Sequence, residues 1–302
     1  MFSGVRSIAG EGTRVRETAR AVPPTGLVLL SIFSVQLGAA IAKGLFDSLG
    51  PGGTVFLRIG FAALLLLALW RPPLRGYTGR EYLLATLFGL TLAGMNLSIY
   101  LSFDRIPLGI AVTLEFIGPL SVSIVGSRRV LDLFWVVLAA AGILLLAPLG
   151  VLGETDLDPV GVAFALVAGF FWACYIILSA RTGRAFPGMA GLTIALLVGT
   201  AALLPVGLAS AGSAMLDPVL LLVGLAVALL SSAIPFSLEL EALRKLPARV
   251  FGVLMSLEPA VAALIGFLVL GERLGLRSLA AIALVTLAAA GASRYGARNP
   301  KG

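Results

Sequence analysis

The chain has 302 residues, 59% of them hydrophobic and only 12% charged, against about 25% charged in ordinary soluble domains, which excludes a soluble domain and points to a polytopic membrane protein. Its net charge of +7 does not mark a nucleic-acid binder, because the Arg and Lys residues lie at the ends of apolar stretches and form no continuous basic surface. With one cysteine, Cys174, inside an apolar stretch and no histidine, neither a disulfide framework nor a Cys/His metal site is available.

Residues 1–25 carry Arg6, Arg14, Arg16 and Arg20 with Glu11 and Glu17, then Pro23-Pro24. The apolar stretch that follows has no cleavage signature, so a cytoplasmic tail is expected rather than a signal peptide. A bilayer core of about 30 Å needs about 20 helical residues. Polar and Gly/Pro punctuation divides the remainder into ten such pieces: 26–44, 54–70, 81–101, 107–126, 131–148, 160–179, 188–208, 217–237, 247–270 and 276–293. Counting Lys and Arg in alternate connections gives sixteen on one side and three on the other, which places both termini in the cytoplasm. Losing one span would exchange the sides of every later loop and destroy that bias, so the count must be even.

The segment Arg105-Ile106-Pro107 resembles Lys245-Leu246-Pro247, and the same offset carries Pro119 onto Pro259; an earlier register matches Leu49-Gly50-Pro51 to Ala185-Phe186-Pro187. These matches predict an internal repeat. The expected organisation is an all-α membrane protein of ten helices in two five-helix halves, 26–148 and 160–293, joined by 149–159 and closed by a cytoplasmic tail, 294–302. Five is odd, so the second half enters from the opposite face and the repeat is inverted, a recurrent design of secondary transporters with a site near the midplane.

Polar groups inside the spans locate that site. Gln36 lies midway along the first span beside Gly38, Ala39, Ala40 and Ala42, and suits either a zwitterionic solute or a plain interhelical hydrogen bond. Lys43 and Arg58 are placed toward the outer face, where they snorkel, pair with an acid or attract a substrate carboxylate. Asn96, one turn before Tyr100, carries the same two readings as Gln36. Glu115 sits halfway along the fourth span, and an ionisable group at that depth costs at least about 2.5–3.5 kcal/mol, so it needs a partner, a cavity or a role. Pro119 leaves the Glu115 carbonyl without its helical donor and favours a kink, and Gly118 thins the same turn for a ligand or another helix. The bland alternative pairs Glu115 with Lys43 or Arg58.

Trp172 and Tyr175 in the sixth span wall a solute path or simply pack. Ser231 and Ser232 precede Pro235, whose missing N–H frees the Ser231 carbonyl for repair by a hydroxyl. Glu258, followed directly by Pro259 as a second kink, is either a site residue or a packing group. It is offset from Glu115 by three residues under the repeat, about one helical turn.

The runs Met95-Asn96-Leu97-Ser98-Ile99-Tyr100 and Arg105 through Leu114-Glu115-Phe116-Ile117-Gly118-Pro119 resemble the EamA family of the drug/metabolite transporter superfamily, and within it the threonine/homoserine exporter branch. Gln36 through Lys43, Leu257-Glu258-Pro259-Ala260 and Leu270-Gly271-Glu272 fit the same pattern, and the resemblance runs from about Gly26 to Ser293. It implies ten helices in two inverted halves, and export of small amino acids or related metabolites from a bacterial cytoplasm.

The function expected is therefore secondary export by alternating access across the bacterial inner membrane, not an enzymatic reaction. The partners are a small zwitterionic metabolite and membrane lipid, with protons as the candidate coupling ion and no cofactor. Gln36, Asn96 and Tyr100 would hold the solute, with Lys43 or Arg58 on its carboxylate, Glu115 on its ammonium, and Trp172 and Tyr175 as walls. Glu115 and Glu258 are the proton-coupling candidates. Other cargoes on the same fold (aromatic amino acids, nucleobases, amphipathic drugs) stand as the alternative. A membrane-embedded hydrolase lacks a His metal motif and intramembrane Asp pairs, and an ATP-driven pump lacks a Gly-x-x-x-x-Gly-Lys loop.

Overall fold

The computed structural model describes residues 23–125, 130–146, 157–243, 245–246, 251 and 254–296. The expected N-terminal tail before 23, most of the connecting loop, and the C-terminal tail after 296 lie outside them. All regular structure among the described residues is helical: α1 Pro24–Lys43, α2 Phe46–Trp70, α3 Gly79–Phe103, α4 Leu108–Glu115, α5 Ile117–Val125, α6 Val130–Leu146, α7 Pro159–Ala185, α8 Ala190–Ala211, α9 Pro218–Ala228, α10 Ile234–Leu243, α11 Glu258–Leu270 and α12 Leu276–Gly296. Of these, α1, α2, α3, α7 and α8 with its 3-10 extension to Leu216 are long and apolar enough to cross a membrane.

Local chemistry sets the helix starts. Thr78 and Glu81 form a reciprocal capping box at α3, the Thr78 N–H donating to the Glu81 carboxylate at 2.7 Å. Asp158 and Asp217 accept from the first free N–H groups of α7 and α9, each followed by a proline at the first helical position. Arg105 reaches across to Asp158 at 2.7 Å. That hydrogen bond, helped by the Val160 N–H, holds the Asp158 carboxyl below the usual carboxylate range.

Three expected spans are corrected. The second span does not begin near 54 but at Phe46, bending at Gly50, whose φ of 64° is a left-handed conformation that glycine adopts without strain. Ser210 donates to the Leu49 carbonyl at 3.0 Å at this bend. Arg58 consequently lies halfway along α2 rather than near its outer end. The fourth span is broken, with α4 ending at Glu115 and α5 starting at Ile117. The ninth is interrupted by a turn at Ser256–Leu257, so Pro259 starts α11 instead of kinking a continuous helix.

The break in the fourth span is also where another helix crosses. A Cβ on Gly169 of α7 would sit 2.8 Å from the Glu115 carbonyl, and one on Gly118 would collide with the Gly169 carbonyl. The thin turn at Gly118 thus admits α7, one of the two occupants expected for it. Gly118→Val is expected to destabilise the protein by about 1–3 kcal/mol through overpacking against backbone that cannot yield. Thermal unfolding in detergent checks this; an unchanged midpoint would show that the α5–α7 crossing is loose. Gly89 similarly lies against the Ala195 carbonyl of α8, and Gly38 against Ser231. These small-residue faces are used within the chain.

Candidate functional site

The helices converge on a cavity of about 700 Å³ bounded by α1, α2, α3, the α4/α5 break, α7, the α9 to α10 region and the segment leading into α11. Gln36, Arg58, Asn96, Glu115, Trp172, Tyr175 and Glu258 all line it, with Pro119 beside them. Glu115 is the last residue of α4 and Glu258 the first of α11, so each carboxylate is delivered by an interruption in its helix. Discontinuous helices of this kind place backbone and side-chain polar groups where a solute can reach them.

Arg58 is held from three directions. Its Nη1 donates to the Tyr100 hydroxyl at 3.1 Å, its Nη2 to the Ser231 carbonyl at 3.0 Å, and its Nε points to Ser232 Oγ at 3.5 Å. The guanidinium carbon also stands 5.5 Å from the Tyr100 ring centre, within cation–π range. Here the structure corrects an expectation: the Ser231 carbonyl that Pro235 leaves without a donor is satisfied by the arginine, not by a hydroxyl. The π-helical turn Leu229–Ala233 between α9 and α10 turns that carbonyl outward, and such turns recur at functional sites.

Opposite charge and open acceptors complete the site. Gln36 donates through Nε2 to Glu258 Oε1 at 3.1 Å. Gln36 Oε1 and Glu258 Oε2 are buried with no hydrogen-bond partner, and Gln36 is 2% exposed. Buried acceptors of this kind are costly unless something donates to them. Asn96 Nδ2 is occupied by the Leu92 carbonyl one turn back, at 2.9 Å. Glu115 lies within electrostatic reach of Glu258 and Arg58, yet among the described residues no salt bridge joins it to Arg58 or Lys43. The pairing alternative for Glu115 therefore finds no partner there.

Two expected residues fall elsewhere. Tyr100 is fully buried behind Arg58 and positions it rather than lining the cavity. Lys43 bonds Glu272 at 2.7 Å and points its Nζ at the Ile106 carbonyl at 3.4 Å, which removes it from the cavity wall. Glu272 also accepts from the Leu108 N–H at 2.9 Å, at the start of α4. One carboxylate thus ties α1, α4 and the end of α11 together at the α1 terminus, while the cavity extends the other way, toward Ser179, Glu239 and Phe251.

Sequence reasoning passed over Glu239 and Ser31. Glu239 lines the cavity and accepts from Ser31 Oγ at 2.6 Å. Its position next to Glu241, Arg244 and Lys245 disguised it as part of a solvated helix end. The four-residue spacing of Ser231, Pro235 and Glu239, all of which line the cavity, was the available signal.

Known proteins resemble the chain over most of its length. The EamA-like transporter family model matches residues 159–294. The threonine/homoserine exporter RhtA of Salmonella typhimurium (strain SL1344) is 43% identical over 263 residues, covering 87% of this chain and 88% of the relative. The protein of the same name from Escherichia coli (strain K12) is 42% identical over 270 residues, covering 89% and 91%. A solved crystal structure superposes with a TM-score of 0.60 at 17% identity, over 88% of this chain and 96% of that one, which shows a shared fold. With such identity across most of both chains, this protein belongs to the EamA-like transporter family, in the branch of its threonine/homoserine exporters.

Proposed function

We propose that this transporter exports small zwitterionic amino acids, threonine and homoserine foremost, from a bacterial cytoplasm by alternating access between two inverted five-helix halves. The observation that carries the reading is one cavity lined both by a fixed guanidinium, Arg58, and by Gln36 and Glu258, whose buried Oε1 and Oε2 have no hydrogen-bond partner. The solute carboxylate pairs with Arg58, and its ammonium donates to Gln36 Oε1 and Glu258 Oε2. Neither contact requires a new charge to be buried unpaired.

Packing supports the inverted repeat. Exchanging the halves maps the first span onto the sixth, the second onto the seventh, and so on. Under that exchange α3 against α7 becomes α10 against α1, α4/α5 against α7 becomes α11 against α1, and α3 against α8 becomes α9 against α2; all six contacts exist. The pairs α2 with α8, α4 with α11 and α6 with α12 map onto themselves, and they exist too. Ten spans with cytoplasmic termini follow from the Lys/Arg distribution. In that frame the Lys43–Glu272 end is the outer side and the cavity opens inward, as expected for loading an exporter.

Counterflow of labelled threonine and homoserine into proteoliposomes containing purified protein tests the function. Saturable exchange is expected with both; none with either would overturn it. Glu115 carries the coupling proton in this scheme, so Glu115→Gln is expected to lower accumulation driven by a pH gradient by about tenfold or more. Gradient-driven accumulation at the wild-type level would remove Glu115 from that role.

A further inference from the structure

The cavity carries more carboxyl groups than a neutral-side-chain amino acid needs. Among the described residues its lining carries one basic side chain, Arg58, and three carboxyl groups, Glu115, Glu239 and Glu258. The scheme above uses Arg58 for the carboxylate, Glu258 with Gln36 for the ammonium, and Glu115 for the proton. Glu239 is left over. Among the described residues no salt bridge neutralises it, and its one hydrogen bond is from Ser31. An acid facing a largely apolar chamber without a cation is expensive to keep unless a cation visits it.

The spacing says which cation. Ser31 and Gln36 lie five residues apart on α1, about 7.5 Å along the helix axis, and they hold Glu239 and Glu258 in turn, so the two carboxyl groups sit at different levels along α1. An extended α-amino acid with four methylenes before a terminal ammonium sets its two nitrogens about 7 Å apart, from single bonds near 1.5 Å. Tyr175 and Trp172 on α7 line the same space, and aromatic side chains within reach of an ammonium attract it. A cavity of about 700 Å³ has room for a chain of that length, since volumes of this order enclose drug-sized ligands.

We propose that the transporter has a second substrate class: α-amino acids bearing a further ammonium on the side chain, with the α-ammonium at Glu258 and Gln36, the carboxylate at Arg58, and the distal ammonium on Glu239 beside Ser31. This rests on the cavity being the amino-acid path. It departs from the threonine-type reading in giving Glu239 a task that a neutral side chain never calls on.

Proteoliposomes with the wild-type chain or Glu239→Gln, tested by counterflow with labelled lysine and labelled threonine in parallel, decide it. The wild type is expected to exchange both. Glu239→Gln is expected to lower lysine exchange by about tenfold or more, as for loss of one desolvated ion pair, and to leave threonine exchange within about twofold. Ornithine, one methylene shorter, is expected to exchange less well than lysine, and the preference should vanish in the variant. Threonine exchange without lysine exchange in the wild type overturns the second substrate class and leaves the exporter reading intact. An equal fall of both solutes in Glu239→Gln also overturns it, by placing Glu239 in the common site or in folding. Exchange of neither solute by the wild type sinks the parent reading and this one together.

Discussion

Replacing Arg58 by Lys is expected to lower threonine counterflow by about ten- to a hundredfold while the protein still folds and inserts. The guanidinium at this point is a fork: one arm on the Tyr100 hydroxyl at 3.1 Å, one on the Ser231 carbonyl at 3.0 Å, and its Nε toward Ser232 at 3.5 Å. With two anchors fixed, remaining N–H groups are free to meet a carboxylate with defined orientation. An ammonium is a shorter point charge that cannot hold both anchors and face a solute simultaneously. Losing a charge-assisted, oriented contact in a desolvated site costs about 1.5–3 kcal/mol, one to two powers of ten in binding. Tyr100→Phe removes one anchor and keeps the fork, so a smaller loss of about threefold to tenfold is expected. Counterflow rates across a range of threonine concentrations check both. Wild-type kinetics in Arg58→Lys would mean that the solute carboxylate is bound elsewhere, and the orientation proposed for the zwitterion would fall.

Much of this site was legible before the structure, and the reasons for what was not are physical. An intramembrane carboxylate or amide is expensive, so Gln36, Arg58, Asn96, Glu115 and Glu258 stand out against an apolar background, and all five line one cavity. Proline positions forecast disturbed helices near Glu115 and Glu258. Pro119 marked the turn at Glu115, and the break falls there at Phe116; what the proline could not forecast is that α7 crosses at this point, with Gly169 against the Glu115 carbonyl 54 positions away in the chain. Lys43 was ambiguous for a similar reason. Its reach from the end of α1 permits a lipid-facing, cavity-facing or paired position, and only the arrival of Glu272 from the far half selects the last. Arg58 was read near a span end because Gly50-Pro51 looked like a loop, whereas the helix bends through it and Arg58 lies halfway along. Glu239 escaped because charge at a span end has a cheap explanation in water, and sequence alone does not show that α10 continues to Leu243 with Ser31 against it.

In the orientation proposed above, breaking the Lys43–Glu272 contact is expected to open the outer end of the transporter. Glu272 holds three things at once: Lys43 at 2.7 Å, the Leu108 N–H at 2.9 Å, and its own close seat over Gly266, where a Cβ would collide with it. The carboxylate therefore also caps the positive end of α4, the short helix that delivers Glu115. Both side chains are largely covered, at 24% and 12% exposure, so the pair is worth more than an exposed ion pair of 0–1 kcal/mol, about 1–2 kcal/mol once desolvation is set against it. Glu272→Gln keeps an oxygen for the Leu108 N–H and drops the charge, which removes the ion pair together with the charge at the start of α4, whereas Lys43→Gln leaves that charge and isolates the ion-pair contribution. A loss of about 1.4 kcal/mol from the outer-closed state shifts its balance with the outer-open state tenfold. Ala39, between Gln36 and Lys43 on the cavity wall, reports the shift. In a Cys174→Ser background, Ala39→Cys in right-side-out vesicles is expected to react with a membrane-impermeant thiol reagent about tenfold faster when Glu272→Gln is added. Lys43→Gln should give the same acceleration, and combining the two should add little, because each removes the same interaction. Equal labelling rates in all four proteins would mean that the closed outer end is held by apolar packing alone, and that this buried ion pair does not set which side the cavity faces.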